Sequence, residues 1–128
     1  MMKKESVLSD RAPAPVGPYS QAVKAGGFLF LSGQVALNPA TGKMVDGDVV
    51  AHTRQIMANL EAVLAAAGVS LADVVKTTIF LTDMGDFGAV NEVYGEYFTE
   101  DPPARSCVQV AALPMGVPIE IEMIAILG

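Results

Sequence analysis

Residues 119–126, IEIEMIAI, alternate strictly: Ile119, Ile121, Met123 and Ala125 fall on one side of an extended chain, and Glu120, Glu122, Ile124 and Ile126 on the other. Both sides carry apolar groups, so this strand belongs inside a sheet that is greasy on each face. Only two segments elsewhere have helical periodicity, and two helices cover one face of such a sheet. The second face needs cover from outside the fold, most economically from another copy of the same chain. A homo-oligomer is expected.

The remaining elements follow from local signals. Residues 1–16, running on to Pro18, form an extended arm, because Pro13, Pro15 and Pro18 cannot occupy a helix interior. The stretch YSQAVKAGGFLFLSGQVAL predicts two strands about the Gly26-Gly27 turn, the second central in a sheet. From Asp48, a plausible N-cap, apolar residues at Ile56, Met57, Leu60, Val63, Leu64 and Ala67 mark an amphipathic helix closed by Gly68. ADVVKTTIFLTD is strand-like, and Phe87, Val90, Tyr94 and Tyr97 space a second helix. Strands over 104–112 and 119–127 close the chain and read as its most buried pair. The order is ββαβαββ, an α+β fold with a mixed sheet and both helices on one face, forming a single domain over 1–128.

Composition narrows the function. Apolar residues make up 52% and charged ones 17%, too hydrophobic for disorder, while no apolar run approaches the roughly 20 residues of a membrane span. The two lysines near the N-terminus are not followed by the apolar stretch of a secretory signal, so a cytoplasmic protein is expected. A single cysteine, Cys107, excludes an internal disulfide, and no His/Cys cluster suggests a metal. With net charge −6 and eight Lys+Arg scattered singly, the chain has no basic stripe, which disfavours nucleic acid as a partner.

Few residues can do chemistry. Arg105 shares a strand face with Cys107 and Gln109; it reads either as a surface ion-pair residue or as a two-pronged donor to a carboxylate or phosphate. Glu120, flanked by Ile119 and Ile121, reads either as an edge charge that discourages aggregation or as a general acid/base whose pKa is raised by apolar neighbours. Glu122 shares its face, and the strand pattern does not choose between them. The only histidine, His52, falls on the polar arc of the first helix with Gln55 and Asn59 and reads as solvated. That leaves Cys107 without a basic partner, as a small buried hydrophobe. Tyr19 and Ser20 sit where an X-Pro turn opens into a strand. Ser32-Gly33-Gln34 interrupts an apolar strand, as a close ligand approach or a bulge would require.

GPYSQAV (17–23), SGQVALNPATG (32–42), DVVKTTIFLTDMGDFGAVNEVYGEYF (73–98) and PARSCVQVAALPMGVPIEIE (103–122) resemble, in order and spacing, the reactive-intermediate deaminase (RidA/YjgF) superfamily. The resemblance covers all but the first dozen residues. It implies a chorismate-mutase-like fold assembled as a homotrimer with clefts between subunits. It also implies cofactor-free hydrolysis of 2-enamine and 2-imine acids, such as 2-aminoacrylate and 2-iminopropanoate, to 2-oxo acids and ammonia. Such intermediates are released by pyridoxal-phosphate-dependent serine and threonine dehydratases. On this resemblance Arg105 would bind the substrate carboxylate with the backbone N–H of Cys107, Glu120 would position or activate water, and Tyr19, Ser32, Gly33 and Asn91 would line the pocket. The chemistry suits those residues, because an iminium carbon is already electrophilic and hydrolysis then requires orientation, a water and a proton shuttle. Two other readings stand beside it: a trimer of carboxylate-binding or chaperone-like character without turnover, and a ribonuclease or translation inhibitor. Because the chain runs about 25 Å from Arg105 to Leu113 before a short loop returns it to Glu120, each cleft is expected to take Arg105 from one chain and Glu120 from its neighbour.

Overall fold

A computed structural model describes residues 3–128 and confirms the helix–strand alternation. The strands are β1 (Glu5–Val7), β2 (Ala22–Ala25), β3 (Phe28–Gln34), β4 (Val74–Leu81), β5 (Ala104–Gln109) and β6 (Ile119–Ile126), and the helices are α1 (Val49–Ala66) and α2 (Phe87–Tyr97). They form one six-stranded sheet in the order β1-β2-β3-β6-β4-β5. All neighbours are antiparallel except β4 and β5, which run parallel and are joined through α2, the crossover that parallel pairing demands.

The expected arm is thus partly a strand. Glu5–Val7 pairs with Ala22–Lys24, and Gln21 fixes the segment that follows: its Oε1 accepts from Ser9 N at 2.6 Å, and its Nε2 donates to the Ser9 and Pro13 carbonyls at 3.1 and 2.9 Å. The last two strands also differ from expectation. β4 lies between them, and β5 is the sheet's edge, ending at Gln109 and exposed along most of its length.

Helix α1 begins at Asp48, whose Oδ1 accepts from Ala51 N at 3.0 Å, and it ends in two reversing bonds, Gly68 N to Ala65 O and Val69 N to Leu64 O, both 3.0 Å. That turn needs the positive φ of 81° that Gly68 supplies. The helix buries Ile56, Met57, Leu60, Val63 and Leu64 against Leu29, Leu31, Ile121 and Met123 of the sheet. Its polar arc is not solvated. His52 is 7% exposed, and Asn59, accepting from Gln55 Nε2 at 2.9 Å, donates to the Leu37 carbonyl at 2.9 Å, so the loop after β3 covers that arc. His52 Nδ1 has no hydrogen-bond partner there.

β6 shows the alternation read from its sequence: Ile119, Ile121, Met123 and Ala125 are buried beneath the helices, while Glu120, Glu122, Ile124 and Ile126 point to the face that no helix covers. On that open face Phe28 lies opposite Ile126 and Phe30 opposite Ile124. Phe28, Phe30 and Ile126 are 42%, 45% and 43% exposed, an apolar patch at one end of the face, with the two carboxylates at the other. No helix among the described residues is long and apolar enough to cross a membrane.

Candidate active site: two half-sites on opposite faces

Arg105 pairs with Thr77 of β4, a fully buried residue, so its side chain leaves the sheet on the helix-covered face, at the exposed edge. Its Nη1 donates to Asn91 Oδ1 of α2 at 2.7 Å. Asn91, Tyr94, Phe98, Pro103 and Arg105 line an open cavity of about 400 Å³. Among the described residues the ion pair is between Arg54 and Glu96, and no carboxylate meets Arg105. Two residues on, Cys107 is half-buried against the core, and its thiol pKa is raised by burial, with the Arg105 charge pulling the other way. A thiol held protonated is a poor nucleophile.

The backbone of β5 adds donors. Val110 N donates to the Leu81 carbonyl at 2.8 Å, and strand alternation then turns the N–H groups of Arg105, Cys107 and Gln109 away from β4 to the free edge. The Cys107 N–H therefore faces outward beside the guanidinium, where it could meet an anion.

Glu120 lies across Phe80 on β4 and points to the open face. It shares a cavity of about 470 Å³ with Tyr19, Ser32, Gly33, Glu122 and Met115. Gly33 is required by that neighbour: a Cβ there would overlap the Glu120 carboxyl and stand 2.8 Å from its Cδ. The pairing of β3 with β6 also slips between Leu31 and Gln34, the irregularity expected of a glycine within a strand. Ser32 Oγ donates to the Ser20 carbonyl at 2.6 Å, which leaves its oxygen free only to accept, and Ser32 N donates to the Gln21 carbonyl at 2.9 Å. Tyr19, 49% exposed, accepts from Val16 N at 3.4 Å. Burial raises the Glu120 carboxyl above the usual range, and the like charge of Glu122 raises it further.

The sequence candidates thus fall into two groups. Arg105, Asn91 and Cys107 cluster on one face, and Glu120, Tyr19, Ser32 and Gly33 on the other. Thr77 and Phe80, which mark the two positions on β4, are three residues apart, about 10 Å along the strand. The offset is shorter than the sequence implied, and the sheet itself does most of the separating. Sequence reading gave Gln21 no role, although it lies within GPYSQAV, because nothing in the segment marks its amide as buried. It placed Tyr94 only as a core residue of α2 and gave Phe87 and Met115 no part in the site.

The family model described as Endoribonuclease L-PSP matches residues 9–127. A mouse protein named 2-iminobutanoate/2-iminopropanoate deaminase is 49% identical over 125 residues, covering 98% of this chain and 93% of its own length. The crystal structure of RidA from an Antarctic Psychrobacter matches with a TM-score of 0.92 at 46% identity, over 96% of this chain and 99% of that one. E. coli TdcF with bound serine matches with a TM-score of 0.92 at 42% identity, over 97% and 99%.

Proposed function

We propose that this chain, which belongs to the reactive-intermediate deaminase (RidA/YjgF) superfamily, hydrolyses 2-imine and 2-enamine acids to 2-oxo acids and ammonia, in clefts between the subunits of a homotrimer. The observation that carries the reading is the split site. Arg105 with its outward N–H neighbours and Glu120 in its partly buried cavity are complementary halves, and they face opposite sides of one chain. A neighbour's sheet packed on the open face would bring one half of each together, and the patch of Phe28, Phe30 and Ile126 is the surface it would cover.

In such a cleft the Arg105 guanidinium, one amino group held by Asn91, offers its remaining N–H groups to the substrate carboxylate, joined by the Cys107 N–H. The electrophilic carbon is then fixed over Glu120. An enamine first takes a proton at C3 to become the iminium. Water adds to C2 while ionised Glu120 accepts its proton, giving a carbinolamine. Glu120 returns the proton to nitrogen, the C–N bond breaks with its electrons leaving on ammonia, and the C2 hydroxyl loses its proton to become the oxo group. A carboxyl pKa raised above its ordinary value by burial and by Glu122 suits a group that must both take and give a proton. The serine bound by E. coli TdcF supports a small carboxylate as the ligand class.

The test is a coupled assay: a dehydratase and its amino acid, with and without this protein, following ammonia and oxo-acid release. The wild type should accelerate release, and Arg105→Ala should not. Release by Arg105→Ala at the wild-type rate would refute the assignment.

A further inference from the structure

The Arg105 guanidinium rests on aromatic rings. Its Cζ stands 5.1 Å from the ring centroid of Tyr94 and 5.5 Å from that of Phe87. Phe87, Asn91 and Tyr94 stand at i, i+4 and i+7 of α2, so one helix face supplies two ring contacts and the hydrogen bond to Nη1. An arginine on an exposed edge strand otherwise has four soft torsions and no reason to hold one direction.

Tyr94 is itself held. It is 5% exposed, its ring packs on Phe98 at 4.8 Å between centroids, and its hydroxyl shares a buried 2.7 Å hydrogen bond with Thr77 Oγ1. Thr77 is also the β4 residue opposite Arg105. The contacts close a loop: from the Arg105 backbone to Thr77, from Thr77 to the Tyr94 hydroxyl, and from the Tyr94 ring back to the guanidinium. Burial raises the Tyr94 phenol above its ordinary pKa, so it stays neutral and sets no competing anion beside the cation.

We infer that Tyr94 is the positioning residue of the anion-binding arginine, with Phe87 completing the seat. It fixes the guanidinium plane so that the edge not bonded to Asn91 meets the substrate carboxylate. The inference deepens the proposed function and rests on it for the identity of that carboxylate. A flat, weakly hydrated cation gains from two ring contacts as an ammonium on a flexible stem does not, so the seat also selects arginine over lysine at this position.

The experiment compares wild type, Tyr94→Phe, Tyr94→Leu and Thr77→Val, each checked for folding. It measures kcat and KM for imine hydrolysis and, separately, the Kd of 2-oxobutanoate as a stable carboxylate probe. The carboxylate is held alike in the ground and transition states, so Tyr94→Leu should raise KM and Kd together, about tenfold, with kcat within about twofold of wild type. Tyr94→Phe keeps the ring and should stay within about threefold of wild type in KM and Kd, as should Thr77→Val. Loss of probe affinity in Tyr94→Leu would support the seat even if the wild type released no ammonia from imines, an outcome that would sink only the deaminase reading. A wild-type Kd in folded Tyr94→Leu, or a fall in kcat with Kd unchanged, would overturn it. If Tyr94→Leu does not fold, Phe87→Leu, at the less buried start of α2, should weaken probe binding, and an unchanged Kd there would overturn the seat equally.

Discussion

Because Arg105 and Glu120 leave opposite faces of one sheet, two inactive variants should rescue each other. Arg105→Ala keeps an intact Glu120 half-site, and Glu120→Gln keeps an intact Arg105 half-site. Suppose each cleft of a trimer takes Arg105 from one subunit and Glu120 from the next. A trimer of either parent then has no complete cleft, while any mixed trimer has a single complete one of three. Equal amounts, unfolded together and refolded, form about three-quarters mixed trimers, so activity should return to about one-quarter of wild type. Loss of a general acid/base costs about 10²–10⁴-fold, which keeps the Glu120→Gln background far below that level. The assay is ammonia release from freshly generated 2-iminopropanoate, with mixed trimers verified by native mass spectrometry. Verified mixed trimers that are no more active than the parents would refute the shared cleft, since a site contained within one chain gains nothing from mixing.

Phe30→Asp places a charge in the middle of the open apolar patch without touching the helix-covered core; it should give a folded but inactive monomer, checked by circular dichroism, sedimentation and the same assay. Gly33→Ala puts a methyl group against the Glu120 carboxyl, whose flexible end can swing aside; activity should fall at least about tenfold while the unfolding midpoint barely moves. The acid limb of kcat/KM should lie above the ordinary glutamate pKa, because Glu120 must be ionised to accept the water's proton, and Glu122→Gln should move that limb to lower pH by removing the like charge; an unmoved limb would count against Glu120. A carboxyl pKa raised by folding means that the native state holds the extra proton, so stability falls as pH rises from the unfolded pKa through the folded one. Glu120→Gln should therefore be more stable than wild type at neutral pH and lose that advantage near pH 4, as urea titrations at the two pH values would show.

Elements whose signals are local were legible in the sequence. α1 announced itself through Asp48, its apolar spacing and Gly68, and β6 through alternation alone. β1 was not legible, because three residues ahead of the proline-rich stretch carry no periodicity and become a strand only when β2 pairs with them. β5 was misplaced for a different reason: its mixture of Ala104, Cys107 and Val108 with Arg105, Ser106 and Gln109 carries no signal that separates a central strand from an edge that a neighbour covers. His52 and Asn59 look polar-faced on a helical wheel, and only the loop after β3 buries them. The parity that groups Arg105 with Cys107 and Gln109 was correct, but parity within one strand cannot say which face the helices will take. Nor can it give the cross-strand register, which aligns Arg105 with Thr77 and Glu120 with Phe80, three residues apart on β4, and so puts the two side chains back to back.

Successive residues of β6 therefore answer to different constraints. Ile121 is fully buried beneath α1, and its truncation to Ala should cost about 2–5 kcal/mol of stability whatever happens to the chemistry. Glu120, one residue earlier and on the other face, is a burden to the isolated fold, since its carboxylate is partly desolvated beside Glu122 with no cation to offset it. Nothing in the stability of one chain favours a carboxylate there. Arg105 is the reverse case: its charge remains solvated at an edge, and its side chain is nevertheless held by three contacts from α2. A cleft formed by a second copy would exclude bulk water from both groups at once and strengthen the guanidinium's attraction for a carboxylate. It would leave Glu120 with its proton affinity raised and a water within reach. The fold thus holds a destabilising carboxyl group and an ordered guanidinium cation without a carboxylate partner on separate faces, an arrangement that makes physical sense once a ligand and a neighbouring subunit join them.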